Sequence, residues 1–428
     1  MQRKRLPFVS VAGLDESVAP LIARGDYEQA LDALFVGADT ALRTEELCGR
    51  AIYLPGLDRW VQQIGQTITA QSALGFAAGD RPLVIASELY ESGGHSRVIA
   101  DICRVTDPKP IVLLTDVFGR YARGSLKWSG AAWLLPTSTV LKLPPVDLTS
   151  KVRSLLRTIA SVRPSAIFLF AHHQDVVAYA AANAALPIPQ WYFHHCDHHP
   201  ALGATVSHYR HLDFTRELQA LCMRFSGSGN RYLPLCAPDQ GVRRFDHPLQ
   251  SISTVSSGAF NKYATAGPLA YHELVAALLS RCASRHYHIG PVPTDYRETI
   301  DRILTARSID PSRFVHIPHV DSLWSTLLSL DAHVYVTSVP VPGVRTAIEV
   351  QGAGYPVAFF SGQQRPFLSL HSLYAPRSVA FDSAPGLVDA VNAIAADHAR
   401  CAAASRAHYF ANHSQQVFES ALRRGGLD

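Results

Sequence analysis

The first stretch of the chain alternates apolar and polar positions with a helical period. Ile22-Ala23-Arg24-Gly25-Asp26-Tyr27-Glu28-Gln29-Ala30-Leu31 has the small, aromatic and acidic spacing of one helix-turn-helix repeat, and Leu57 to Ile68 is a second amphipathic piece. A single unit cannot bury its own face, so the spacing predicts a helical cap over 1–78 packed on the next domain. From Arg81 the pattern changes to short continuous apolar runs separated by helical segments. Pro82–Ser87, Pro110–Thr115, Val140–Leu143, Ala166–Phe170 and Pro189–Phe193 read as strands. Val98–Val105, Asp147–Val162 and Asp175–Ala185 read as helices between them. Residues 226–250 are rich in Gly, Pro, Ser, Asp and Arg and have no period. The alternation then restarts, with strands at Ser251–Gly258, His286–Ile289, Phe314–Ile317, His333–Thr337 and Pro356–Phe360. Helices are expected at Pro268–Ser284, Tyr296–Arg307, Ser322–Ser329, Val344–Gly352 and from about Ala384 to Arg424.

Strands that are apolar throughout and alternate with helices imply parallel sheets covered on both faces. The expected architecture is α/β: two Rossmann-like domains facing a cleft, with a small helical N-terminal module. The expected segments are a cap over 1–78, a first Rossmann-like domain over 79–240, a second over 241–385 and closing helices over 386–428. In open α/β sheets, ligands bind off the carboxyl ends of the strands.

Composition narrows the class. At 428 residues the chain exceeds what one hydrophobic core usually organises. Net charge is only +4, from 39 basic and 35 acidic residues, which gives a nucleic-acid reading little support. No apolar run approaches the roughly 20 residues of a membrane span. Arg3, Lys4 and Arg5 precede a short apolar run in the manner of a secretory leader, but Gly13, Asp15 and Glu16 interrupt it with no cleavage site. The seven cysteines are scattered and form no C-x-x-C, as expected of reduced thiols in a cytoplasm.

Three strand ends carry candidate chemistry. Gly343-Val344-Arg345-Thr346-Ala347-Ile348-Glu349 is a loop opening a helix. The free N–H groups and dipole of such a helix start suit a diphosphate. Arg345 and Thr346 lie in its first turn. Glu349 sits about one turn further in, where a carboxylate accepts both ribose hydroxyls. Gly258-Ala259-Phe260-Asn261-Lys262 follows another strand and places one of only six lysines where a phosphate charge would be met. Ile317-Pro318-His319 follows a third and could wall a base against its backbone. Each also has a plain reading, as a packing glycine, a solvated lysine and a surface histidine.

Together these stretches resemble the nucleotide-sugar half of GT-B glycosyltransferases, most of all the group of O-GlcNAc transferases and bacterial cytosolic N-glycosyltransferases. That group carries Gly-Ser/Cys-Phe-Asn followed by lysine, then a Gly-x-Thr-Thr-x-Leu-(Asp/Glu) helix ending at Gly-x-Pro-Val. The matching residues are Phe260-Asn261-Lys262, Gly343 to Glu349 and Gly354-Tyr355-Pro356-Val357. The resemblance covers part of the second half well and the first half loosely. It implies that Lys262 faces the diphosphate, that Val344, Thr346 and their neighbours hold it through backbone N–H groups, and that Glu349 binds ribose. Two departures stand out. Arg345 replaces the first threonine of the pair. Val341, eight residues before Glu349, replaces the second acid of the large retaining families, which favours an inverting reaction.

The first half is then expected to hold the acceptor and the general base. Glu88-Leu89-Tyr90-Glu91-Ser92-Gly93-Gly94-His95-Ser96 follows the first strand and begins a helix, and in GT-B enzymes a glycine-rich loop there faces the donor; its plain reading is a turn with a capping Ser96. His194-His195-Cys196-Asp197-His198-His199 follows the strand ending at Phe193. One reading is an acceptor loop in which a histidine takes the acceptor proton and a carboxylate orients it. An Asp-His pair before Leu-Gly occupies this place in some GT-B enzymes. A metal site and solvent-facing histidines are the other readings. His172, His173, His208 and His211 could line the same cleft. The expected catalytic group is thus His95, His195, Asp197 and His198. The expected donor-binding group is Gly94, Asn261, Lys262, His319, Gly343, Val344, Arg345, Thr346 and Glu349, with no metal ligand, since the chain has no Asp-x-Asp.

The function expected is a cytoplasmic, inverting, metal-independent glycosyltransferase of the hexosyl or N-acetylhexosaminyl class. It would use a nucleotide sugar, UDP-linked by resemblance, with a protein or glycan acceptor and no cofactor beyond the donor. Homo- or hetero-oligomers are compatible with the sequence. Three alternatives stay open. A non-catalytic GT-B partner subunit keeps the fold, and a sugar-nucleotide 2-epimerase shares it. A metal-dependent phosphoesterase would use Asp197-His198-His199 but needs paired acids upstream, where Asp116 and Asp175 stand isolated.

Overall fold

The apolar runs become parallel strands in the computed structural model, which describes residues 13–90, 94–127, 134–195, 199–225, 229–246, 249–362 and 368–424. The chain divides into two units, one reaching Leu233 and rejoined from Leu422, the other Pro234–Ala421.

The first unit opens with α1 (Leu14–Ala23), α2 (Tyr27–Arg43) and α3 (Pro55–Gln71). Strands β1 (Leu83–Ala86), β2 (Ile111–Leu114), β3 (Thr139–Lys142), β4 (Ile167–Phe170), β5 (Gln190–His194), β6 (Arg210–Asp213) and β7 (Arg231–Tyr232) come next. Helices α4 (Gly94–Val105), α5 (Leu148–Val162), α6 (Val176–Ala181) and α7 (Arg216–Phe225) lie between them in sequence. All seven strands are parallel, in the order β3-β2-β1-β4-β5-β6-β7. Asp147 and Asp175 cap α5 and α6 by accepting the N–H of Ser150 and Ala178.

The N-terminal helices bury their apolar stripe on this sheet's helices. Glu28 accepts the N–H groups of Leu148 and Thr149 at 3.0 and 2.7 Å, at the start of α5. Gly65 in α3 lets that helix touch α6; a methyl there would stand 1.9 Å from the Ala180 carbonyl oxygen.

The second unit contains β8 (Ser253–Ser257), β9 (Arg285–Ile289), β10 (Phe314–Ile317), β11 (Val334–Val336), β12 (Val357–Phe360) and β13 (Val379–Phe381). Its helices are α8 (Tyr271–Arg281), α9 (Thr294–Ala306), α10 (Leu323–Ser329), α11 (Val344–Gly352), α12 (Ala384–Ala396), α13 (His398–Asn412) and α14 (Gln415–Arg424), the last running into the first unit. Its sheet is also parallel, in the order β10-β9-β8-β11-β12-β13.

Both sheets reverse their winding once, between β1 and β4 and between β8 and β11. Such switch points open a crevice at the carboxyl ends of the strands, because the connections on either side leave in opposite directions. The expected α/β class with two Rossmann-like halves is therefore present. Three strands go beyond those expected from the sequence: β6, β7 and β13. β6 is Arg-His-Leu-Asp rather than an apolar run, and the other two are short edge strands.

Candidate functional site

At the second switch point, the turn after β8 lies on the loop that enters α11. Tyr263 bridges to Pro340. Ala264 N–H donates to Val339 O at 2.7 Å, and Val341 N–H to Lys262 O at 3.4 Å. These bonds bring Lys262 to the start of α11. A methyl built on Gly343 would stand 3.6 Å from Lys262 Nζ and 2.9 Å from Thr346 Oγ1. Gly343 is the residue before the helix, so the N–H groups of Val344, Arg345 and Thr346 open onto the same space. Lysine charge, helix dipole and first-turn donors converge on one anion-sized position.

Glu349 lies one turn further along α11. Its carboxylate accepts from Arg345 Nε at 3.0 Å, with both side chains mostly buried. Arg345 also donates to Cys236 O at 3.0 Å. Arg345, standing where the resembling group has threonine, thus orients Glu349. The helix ends in a left-handed Gly354, with φ of 86°. Gly352 sets α11 hard against Trp324, whose ring a methyl would meet at 2.0 Å.

The rim is finished by a close backbone approach. Gly258 N–H donates to Ile289 O at 3.0 Å, and a methyl on Gly290 would strike Gly258 O at 2.4 Å. Asn261 is exposed beside Lys262. His319 is on the loop after edge strand β10, 71% exposed and 3.6 Å from Asp321.

At the first switch point, histidines gather from three strand ends. His95, in the first turn of α4, lies 4.5 Å from His195 and 5.1 Å from His172, ring centre to ring centre. His172 Nε2 meets Tyr90 Oη at 2.7 Å. Tyr90 donates to Glu88 Oε2 at 2.9 Å, and Arg120 stands 3.5 Å from the same oxygen. Burial pushes His172 down to about 3, assisted by His195 and Arg120. Burial also pushes His95 well below its ordinary value, with His195 and His172 adding to the effect. Both rings are therefore neutral at physiological pH. Burial raises Glu88, opposed by the Tyr90 hydroxyl and Arg120.

Gly94 begins α4 next to this group. Asp197 and His198 lie outside the described residues, as do Gly93 and Cys196. His199 stacks edge-on to His173 at 5.9 Å. Glu88 and Tyr90 lie in the loop that the sequence marks out, without a role of their own there, and Arg120 carries no sequence signal. The signal for Glu88 is an acid directly at the end of an apolar strand.

Comparison with known proteins bears on the fold. No family model and no curated protein matches the chain. Solved structures do. HepE from Anabaena, in complex with UDP, covers 81% of this chain and 99% of its own at a TM-score of 0.60 and 12% identity. A glycosyltransferase from Rickettsia africae covers 82% and 98% at 0.60 and 9%. The O-GlcNAc transferase of Thermobaculum terrenum covers 96% of this chain and 80% of its own at 0.53 and 13%. The chain has the GT-B fold. The likeness read from three short stretches is thereby met at the level of architecture. In this GT-B protein the Lys262–Gly343 crevice belongs to the second sheet and the histidine group to the first. Among the described residues, no helix is long and apolar enough to cross a membrane.

Proposed function

We propose that this GT-B protein is a glycosyltransferase that takes its sugar from a nucleoside diphosphate donor, with UDP as the nucleotide. The observation that carries the reading is the placement of Lys262 Nζ beside Gly343 at the open start of α11, with Glu349 one turn on. A diphosphate at that start meets the first-turn N–H groups and the lysine, and Glu349 receives the ribose hydroxyls. Structures of HepE hold UDP or UDP-glucose, which supports the choice of base.

Chemistry would come from positioning and charge. The bond between the sugar anomeric carbon and the diphosphate oxygen breaks, and the diphosphate leaves with the electron pair. Lys262 and the α11 start stabilise that growing charge, so the transfer itself needs no metal. The acceptor, a protein or glycan hydroxyl or amide, forms the new bond and loses its proton to an imidazole, His95 or His195. An apolar Val341 in place of an acid supports inversion at the anomeric carbon. His319 and Asn261 are left as outer contacts.

The test is thermal unfolding of the full chain with a panel of nucleoside diphosphates, with and without added magnesium or manganese. A ligand at about 100 times its dissociation constant adds roughly 2.7 kcal/mol. UDP should raise the midpoint equally in both buffers, and Lys262→Ala should abolish the rise. Silence toward every nucleotide would overturn the proposal. UDP release from UDP-sugars then tests turnover. His95→Ala should lower it by about 10²- to 10⁴-fold while leaving the UDP shift intact.

A further inference from the structure

β5 ends at His194 and His195 follows directly, and the alternation of extended backbone sends the two to opposite faces. His195 joins the group described above. His194 enters a separate, fully buried cluster with His211, Asp213 and Cys222, whose four donor atoms all lie within 4.8 Å of one another. β5 and β6 pair so that His194 is opposite Asp213. His211 and Asp213, two residues apart on β6, share a face. Cys222 reaches in from α7.

The four donor atoms lie near the spacing of a coordination shell, slightly inside it on three edges. His194 Nδ1, His211 Nε2 and Asp213 Oδ1 form a triangle with every edge 3.1 Å, and Cys222 Sγ is 3.4 Å from His194 Nδ1. Tetrahedral zinc with its usual bond lengths to nitrogen, oxygen and sulfur has ligand–ligand edges of roughly 3.3 to 3.6 Å.

Hydrogen bonds alone do not satisfy the triangle. If both imidazoles donate to the carboxylate, their two N–H groups face each other along the third edge. If one imidazole donates to the other, a ring lone pair faces the carboxylate oxygen. Either arrangement leaves one repulsive edge in a fully buried site. A cation at the centre makes every edge attractive. Thiolate, carboxylate and two neutral imidazoles around a divalent ion also sum to zero charge, as a fully buried site requires. Asp213 Oδ2, the outer oxygen, accepts from Asn230 Nδ2 at 3.1 Å, the kind of outer contact that fixes a ligating carboxylate.

We propose that His194, His211, Asp213 and Cys222 bind one zinc ion, with loss of the thiol proton, and that this ion fixes the end of β5 from which His195 projects. Nitrogen, oxygen and sulfur donors together favour zinc over magnesium or calcium. The site is structural and stands independently of the donor crevice.

The experiment uses the full chain made without a polyhistidine tag. Elemental analysis should find one zinc per chain. Replacement by cobalt(II) should give tetrahedral d–d bands and a thiolate-to-cobalt charge-transfer band. Cys222→Ser should lose the charge-transfer band, Asn230→Ala should weaken the ion by about 10- to 100-fold, and His208→Ala should retain it. A folded parent chain that holds no stoichiometric zinc and gives no such cobalt spectrum overturns the proposal, even if Cys222→Ser fails to fold. A folded Cys222→Ser with the parent's charge-transfer band overturns it as well. Because nucleotide binding is read separately, failure here leaves the transferase reading standing, and the reverse.

Discussion

Substituting Gly343 by alanine separates the fold from the site. Gly343 has φ of −94° and ψ of 115°, a conformation open to any residue, so the backbone carries no penalty. Alanine even gains about 0.4–1 kcal/mol by restricting the unfolded chain. Against this, the new methyl stands 2.9 Å from Thr346 Oγ1 and 3.1 Å from Thr346 Cβ. Thr346 is half-buried and can turn away at a cost of about 0.5–1.5 kcal/mol. Stability should therefore change little. Binding should not. The methyl lies 3.6 Å from Lys262 Nζ, in the shell where a phosphate oxygen would sit about 2.7–2.9 Å from that nitrogen. Losing one charge-assisted bond costs about 1.5–3 kcal/mol, or about 10- to 150-fold in affinity for UDP. Calorimetric titration with UDP measures the loss, and denaturant unfolding measures the stability. Gly343→Ala combined with Thr346→Ala removes the crowding but keeps the methyl, so UDP should stay weak. A stable Gly343→Ala chain that binds UDP with unchanged affinity would refute the placement of the diphosphate.

Other contacts give three more expected outcomes. Glu349→Ala should erase the preference for UDP over 2′-deoxy-UDP in competitive titration; a preference that survives removes Glu349 from the ribose. Gly352→Ala forces α11 off Trp324, at an overpacking cost of roughly 1–3 kcal/mol, and should lower the denaturation midpoint of the second unit; an unchanged midpoint counts against the tight contact. His286 is buried between Thr254 and Tyr271, and burial, with a smaller effect of His288, pushes it down to about 3. Its folded value lies below its unfolded one near 6.5. Its stabilisation is thus complete above pH 6.5 and is lost as pH falls toward 3. Between pH 6.5 and 5 that loss is about 2 kcal/mol, and His286→Gln should flatten the slope of unfolding free energy with pH over that window.

The strands that spell out their burial were legible because nothing but water exclusion decides them. Leu83–Ala86 and Ile167–Phe170 are apolar at every position, and every position is buried. β6 was not legible for the opposite reason. His211 and Asp213 are buried polar groups, and only partners supplied by β5 and α7 make that affordable. A strand stabilised by side chains far away in sequence leaves no periodic trace. The α11 crevice was legible because a glycine, a helix start and a rare lysine each carry their chemistry locally. The chain Arg120–Glu88–Tyr90–His172 was not, since its members come from three separate strand ends and meet only in the fold.

Arg345 shows how a departure from a motif can still serve the motif's purpose. A threonine there offers a hydroxyl to the diphosphate and leaves the carboxylate one turn away to water. Arginine instead reaches Glu349 across one helical turn, and its other arm is anchored on Cys236 O. The carboxylate is thereby fixed in direction before any nucleotide arrives, at the cost of a competitor for the ribose hydroxyls. A carboxylate has two oxygens and about four lone-pair sites. Arg345 Nε takes one of these on Oε1, which leaves Oε2 and the remaining sites for the sugar. The arginine therefore need not leave when ribose binds. Under the proposed function, arginine in place of threonine trades a contact to the leaving group for preorganisation of the carboxylate that would meet the ribose.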